Sequence, residues 1–172
     1  MQHAAADWIR TLKLRPHPEG GWYAETYRSA DVWPAGALPA RYRGTRAAST
    51  AIYFLLEGRQ ISALHRLASD ELWFFHAGAT LRLDLIGPGG KARILRLGAR
   101  RGRDACLPQA VLPAGWWFGA RIKRGRGFAL VSCTVAPGFD FADFEIGRRT
   151  DLLARHPAHA AVIRTLTRMA LS

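Results

Sequence analysis

Between residues 22 and 136 the chain breaks into short runs of strand-forming residues separated by turn signals, a rhythm that few folds accept. The runs are 22–28, 49–56, 60–67, 71–77, 80–86, 91–97, 109–113, 116–122 and 128–136. Between them stand Glu57-Gly58, Ser69-Asp70, Gly87-Pro88-Gly89-Gly90, Ala114-Gly115 and Arg126-Gly127. This spacing predicts an all-β sandwich or barrel. In Thr80 to Ile86 the leucines 81, 83 and 85 face one way and Arg82 and Asp84 the other, which predicts one wet face. "FALVSC", 128–133, is apolar on both faces and is expected centrally, between two layers.

Helical periodicity is confined to the ends. Residues 4–13 place Trp8, Ile9 and Leu12 on one face, with Asp7 in an early turn. Residues 148–155 and 158–171 read as two further helices broken at His156-Pro157, with Val162, Leu166 and Met169 in near-helical register. Both are expected to pack outside the β-body.

A length of 172 residues with 49% hydrophobic content suits the core of one domain, with a barrel over about 20–146 and C-terminal helices over 148–171. No apolar stretch is long enough for a bilayer span, and "MQHAAADWIR" lacks the charged and apolar regions of a signal peptide, so a cytoplasmic protein without membrane contact is expected. Cys106 and Cys133 have no second thiol or histidine at metal-finger spacing and read as small buried residues. The net charge of +12 is spread over glycine-flanked stretches at 41–46, 99–103 and 121–127, with no recognition helix or aromatic-plus-basic strand motif. Nucleic acid is therefore not the expected partner; a small-molecule ligand, with room for an anionic one, is.

"SALHRLASDELWFFHAG", 62–78, resembles the first motif of the cupin superfamily, G-x5-H-x-H-x3-4-E-x6-G, with His65, Glu71 and Gly78 at the first His, the Glu and the last Gly. Leu67 stands where the second metal-binding His belongs. "LPAGWWFG", 112–119, resembles the second motif, P-x-G-x2-H, with Phe118 at the position of the last His ligand. On strands, residues two apart share a face. Ala63, His65 and Leu67 should therefore point together into a barrel, as should Glu71, Trp73 and Phe75, and Trp116 and Phe118. His76 and Phe74 take the opposite parity and should face outward. A cupin metal site usually needs three histidines and a carboxylate, and two of those four positions are hydrocarbon here, so no metal and no other cofactor is expected; a mononuclear site would need ligands from elsewhere, for instance His17.

The strings "HPEGGWYAETYRS" 17–29, "TAIYFLL" 50–56, "SALHRLASDELWFFHAG" 62–78, "VLPAGWWFGAR" 111–121 and "VAPGFDFADFEIG" 135–147 resemble a narrower family, the fifth cupin domain family. The resemblance implies a single jelly-roll β-barrel with flanking helices, commonly paired as a homodimer through strands near the first one. "GGWYAETY" and "SALH" are also similar to the cupin epimerases of nucleotide-linked keto-sugars, whose His is the base. That likeness implies His65 taking a proton beside a ketone, Glu71 orienting it, and Tyr27 or Tyr53 returning a proton, with a nucleotide sugar as the kind of ligand. Glu25 and Tyr27 would share the pocket-facing side of the first strand, and Tyr53, Trp73, Phe75, Trp116 and Phe118 would shape the binding surface. Arg59 or Arg66 could hold a pyrophosphate. A non-catalytic module in which His65 and Glu71 recognise a polar group fits the same residues, and so, less well, does a metal-dependent cupin enzyme. His17 and Glu19, in the loop "PHPEGG", read as loop residues, and the prolines and glycines around them as the turn into the first strand.

Overall fold

The computed structural model describes residues 2–101 and 105–168, so Met169 and the rest of the expected C-terminal helix lie outside the described residues. Strands are numbered in chain order. One antiparallel sheet runs β1 (Arg15–Pro16), β2 (Trp22–Arg28), β5 (Thr50–Glu57), β12 (Phe128–Ala136), β7 (Asp70–Gly78) and β10 (Gln109–Leu112). The second runs β13 (Glu145–Ile146), β6 (Ile61–Arg66), β11 (Trp117–Ile122), β8 (Leu81–Ile86) and β9 (Ala92–Leu97). A ribbon of β3 (Val32–Trp33) and β4 (Arg46–Ala47) lies apart from both. Every long strand falls on a segment that the alternation marks. The two-residue strands β1, β3, β4 and β13 are too short to carry a period.

The inner faces of the two sheets close on one core, which includes Phe54, Leu56, Trp73, Leu83, Phe118 and Val131. β12 lies at the centre of its sheet, as its apolar faces require. Val131, Cys133 and Val135 point into the core, while Leu130 packs outward with Leu55 and Leu14 beside Ile9 of α1 (Gln2–Thr11). On the opposite side, α2 (Arg149–Arg155) and α3 (Ala160–Thr165) bring Leu152, Ile163 and the following Leu166 onto Leu64, Ile86 and Trp117. Fully burying a leucine is worth about 1.5–3 kcal/mol, so this second apolar layer holds the C-terminal helices in place. Asp84, expected on a wet face, is only 4% exposed. Its carboxylate is gripped by Arg82 at 2.6–3.0 Å, which offsets the cost of burial.

Register shifts interrupt three strand pairs, β6 with β11 between Phe118↔His65 and Ala120↔Ser62 and two in the first sheet, where they reset the side-chain parity. β2 pairs with β5 as Tyr23↔Phe54 and Glu25↔Ile52 but then as Tyr27↔Ala51 and Arg28↔Thr50, leaving Thr26 as the extra residue. β7 pairs with β12 as Phe75↔Val131 and then Ala77↔Leu130, with His76 as the extra residue. An extra residue transfers everything beyond it to the other face. Tyr23, Glu25 and Arg28 thus share the inner side of β2, while Tyr27 turns outward.

Candidate functional site

A cavity of about 360 Å³ opens between the sheets. Its inner end is formed by buried Glu19, His65, Leu67, Glu71, Trp73 and Cys133, and its mouth includes exposed Arg15, Glu25, Arg28 and Phe141.

The loop of residues 17–21 is pressed onto β6. Its turn is closed by Gly20 N–H to His17 O at 2.9 Å, and Ala63 N–H donates to Glu19 O at 2.9 Å. A Cβ at Gly20 would lie 2.2 Å from the Ile61 carbonyl oxygen, and its φ of +110° is in the region that favours glycine. This close approach carries Glu19 into the protein, where it is 5% exposed. Ser62 Oγ–H donates to Glu19 Oε1 at 2.7 Å, and Glu19 Oε2 lies 3.2 Å from His65 Nε2 and 3.6 Å from His17 Nδ1.

Hydrogen bonding fixes the proton positions. His65 Nδ1 lies 2.8 Å from the Ala63 carbonyl, which can only accept, so Nδ1 carries a proton and Nε2 faces Glu19. Burial pushes the Glu19 carboxyl up to about 8, against the opposing pull of Ser62 and Arg168. Burial also lowers His65, with Glu71 and the Ala63 carbonyl opposing. The consistent neutral arrangement is a carboxylic acid donating to His65 Nε2. The His65 ring is enclosed by Phe118 at 4.2 Å and Phe144 at 5.3 Å between centroids. His17 accepts from Glu19 N–H at 3.3 Å and is lowered to about 4 by burial, then by His65 and Arg15.

Glu71 differs from Glu19 in having no partner for Oε2, and the buried Trp73 indole Nε1 likewise lacks a hydrogen-bond partner. Burial raises the Glu71 carboxyl to about 7; His65 opposes the rise, Glu19 reinforces it, and neighbouring Trp73 and Cys133 oppose it weakly without a hydrogen bond of good geometry. A buried polar group left unpaired costs about 1–3 kcal/mol, which a ligand supplying both a donor and an acceptor would recover.

The mouth is aromatic and charged. Phe139, Phe141 and Phe144 contact one another edge-on at 5.0–6.0 Å. Their segment is tied to the body by a fork in which Arg46 Nε and Nη2 donate to Asp143 at 2.6 and 2.5 Å. Arg28 is bound through both Nε and Nη2 to Glu25, whereas the Arg15 guanidinium lies 5.0 Å over the Tyr23 ring.

Of the residues expected at the site, His65, Glu71, Trp73 and Glu25 line the cavity. Phe75, Trp116 and Phe118 belong to the surrounding core and do not line it. Tyr27 is 54% exposed and points away, because of the bulge at Thr26. Tyr53 lies on the outer face beside His76, its ring 6.0 Å from the imidazole. His76 faces outward as expected and bonds to Ser132 Oγ at 2.9 Å. Arg66 is turned outward over Trp117 and paired with Glu145, and Arg59 also lies away from this cavity. His17 and Glu19 do lie in a loop, as expected, but that loop lines the cavity, as do Tyr23 and Arg28, which were not expected there. A Glu and a His between prolines and a glycine pair, in a loop tight enough to be forced against a neighbouring strand, was the available signal.

The metal positions of the cupin pattern correspond to His65, Leu67, Glu71 and Phe118. Two are hydrocarbon, both nitrogens of His65 are engaged, and no set of three ligating side chains among the described residues could hold a metal ion. The donor set at these four cupin positions does not fit a bound metal.

A search of the curated proteins found no match. Among solved structures, a protein from Shewanella oneidensis is 40% identical, with 95% of this chain and 97% of that one covered at a TM-score of 0.85. A hypothetical protein from Leishmania major is 39% identical, with 96% and 99% covered and a TM-score of 0.85. Oxalate decarboxylase from Bacillus subtilis, at 14% identity, 92% and 38% coverage and a TM-score of 0.53, shares the fold. Residues 6–147 match the family model described as Cupin superfamily (DUF985), and the chain belongs to that family.

Proposed function

We propose that the cavity binds a small polar metabolite with an anionic group and that Glu71 exchanges a proton with it, as in an isomerase or epimerase of a hydroxy-carbonyl compound such as a keto-sugar nucleotide. The observation that carries this reading is the orphan pair formed by Glu71 Oε2 and the Trp73 indole N–H, both buried on a cavity. A carboxyl near 7 is partly ionised at neutral pH and suited to both removing and returning a proton. In the step envisaged, the C–H bond beside a carbonyl breaks, its proton passes to Glu71, and the electron pair moves onto the carbonyl oxygen. The Trp73 N–H would donate to that developing oxyanion. Return of the proton from Glu71 to the neighbouring carbon, with the substrate's own hydroxyl proton passing to the former carbonyl oxygen as the new carbonyl forms, gives the isomer. His65, with both nitrogens engaged, acts as a positioning residue. Arg15, which has no carboxylate partner among the described residues, would receive the ligand's anionic end, and Tyr23 replaces Tyr27 as the tyrosine at the site.

The test is a screen of keto-sugar nucleotides and hydroxy-ketones for deuterium incorporation from solvent. Exchange by the wild type that Glu71→Gln abolishes while binding persists supports the reading. The second reading, a non-catalytic binding module, is favoured by the same orphan pair if ligands bind without exchange and Glu71→Gln weakens them. A homodimer is part of the proposal, and sedimentation gives its mass.

A further inference from the structure

A second cavity, of about 430 Å³, lies on the other side of the 17–21 loop and shares His17 with the first. It is lined by Arg59, Gln60 and Arg168 together with Gly20, Gly21 and Trp22, and no acidic side chain lines it. Among the described residues neither Arg59 nor Arg168 forms an ion pair with a carboxylate, although Arg168 acts on buried Glu19 at longer range. Arg168 Nη1 donates only to the Pro18 carbonyl at 3.2 Å. Glu57 stands behind the wall and does not line the cavity: its Oε1 accepts from the indole Nε1 of the lining residue Trp22 at 3.1 Å. Gln60 turns its carbonyl oxygen to the Glu57 N–H at 3.1 Å, which leaves its amide nitrogen free to donate. Two guanidiniums and an amide around a concave, acid-free space form a donor set for a tetrahedral oxyanion, since Arg forks match phosphate oxygens.

We infer that this second cavity is a binding site for a phosphoryl group, free or carried by a small metabolite, held by Arg59 and Arg168. The site stands independently of the reading given to the first cavity. It has a physical link to it, because Arg168 braces the Pro18 carbonyl and packs against Gly20. An anion seated there would draw on the same guanidinium that holds the loop carrying Glu19.

The test is a titration of the intact protein with inorganic phosphate and with a phosphomonoester such as glycerol phosphate, at ionic strength held constant with chloride, followed by amide and Arg side-chain NMR shifts. Saturable shifts at Arg59, Gln60 and Gly20–Gly21 are expected, with affinity falling about tenfold in Arg59→Gln, which leaves the loop contacts intact, and further in Arg168→Gln. Tighter binding of the ester than of free phosphate identifies a phosphorylated metabolite as the ligand; the reverse order identifies the free ion. Linear, unsaturable shifts, or binding that survives Arg59→Gln and disappears in Arg15→Gln, would overturn the inference and return the anion to the first cavity.

Discussion

His65 presents Nε2 to Glu19 Oε2 at 3.2 Å, although the two residues come from a strand and a proline-flanked loop more than forty positions apart. The pairing makes the loop part of the site and leaves Glu71 as the carboxyl with a free oxygen. Its consequences can be measured without a known ligand.

Stability should depend on pH in a defined window. In the folded chain Glu19 lies at about 8 and Glu71 at about 7, raised from 4.5. The folded form therefore holds the extra protons above 4.5, and their contribution is lost as pH rises through 7 and 8. His17 and His65 are lowered from 6.5, so their effect has the opposite sign and is confined below that value. Between pH 6.5 and 8 the carboxyls act alone. Thermal unfolding midpoints are expected to fall across that interval, and Glu19→Gln to flatten the fall. An equal slope in wild type and variant contradicts the assignment.

The fork between Arg46 and Asp143 holds the phenylalanine segment at the cavity mouth, with side chains 3% and 6% exposed. Removing one partner strands the other charge. Asp143→Ala should cost about 3 kcal/mol in urea unfolding, the lower end of the range for breaking a buried pair because this one lies near the surface. A loss under about 1 kcal/mol would mean that the pair is solvated.

Gly119 lies where β11 passes β6, and a Cβ there would sit 2.8 Å from the Ser62 carbonyl oxygen. Gly119→Ala is expected to destabilise the protein by about 1–3 kcal/mol by overpacking. It should also shift the NMR signals of Ser62 and His65, which lie on the same strand. A neutral substitution would show that β6 can give way.

The bulge at Thr26 makes a contrast between neighbours. For any compound found to occupy the first cavity, Arg28→Gln should weaken affinity about tenfold and Tyr27→Phe should leave it unchanged, by calorimetric titration. The opposite order would place the inner face of β2 as simple alternation does.

The β-architecture was legible because alternation and turn residues are local signals, and the cupin motifs marked His65 and Glu71, which both line the first cavity. The errors came from non-local geometry. Alternation runs through Thr26 without interruption in the sequence, so Tyr27 was given the place that Arg28 takes. Asp84 reads as a surface residue, but it is 4% exposed with its carboxylate held by Arg82. Glu19 reads as a loop acid because the prolines and glycine pair of "PHPEGG" signal a tight turn but not that Gly20 is pressed against the Ile61 carbonyl.

Two carboxyls on the first cavity are held far above the usual carboxylate range, so that near neutral pH Glu19 is largely protonated and Glu71 partly so. The direct measurement is carbon-13 NMR of the glutamate side-chain carboxyls across pH 3 to 10, assigned with Glu19→Gln and Glu71→Gln. Glu71 is predicted to titrate at about 7 and Glu19 at about 8. Titration of both near 4.5 would contradict it, since the carboxylates would then be charged at neutral pH and the cavity would not hold the protons on which the proposed chemistry depends.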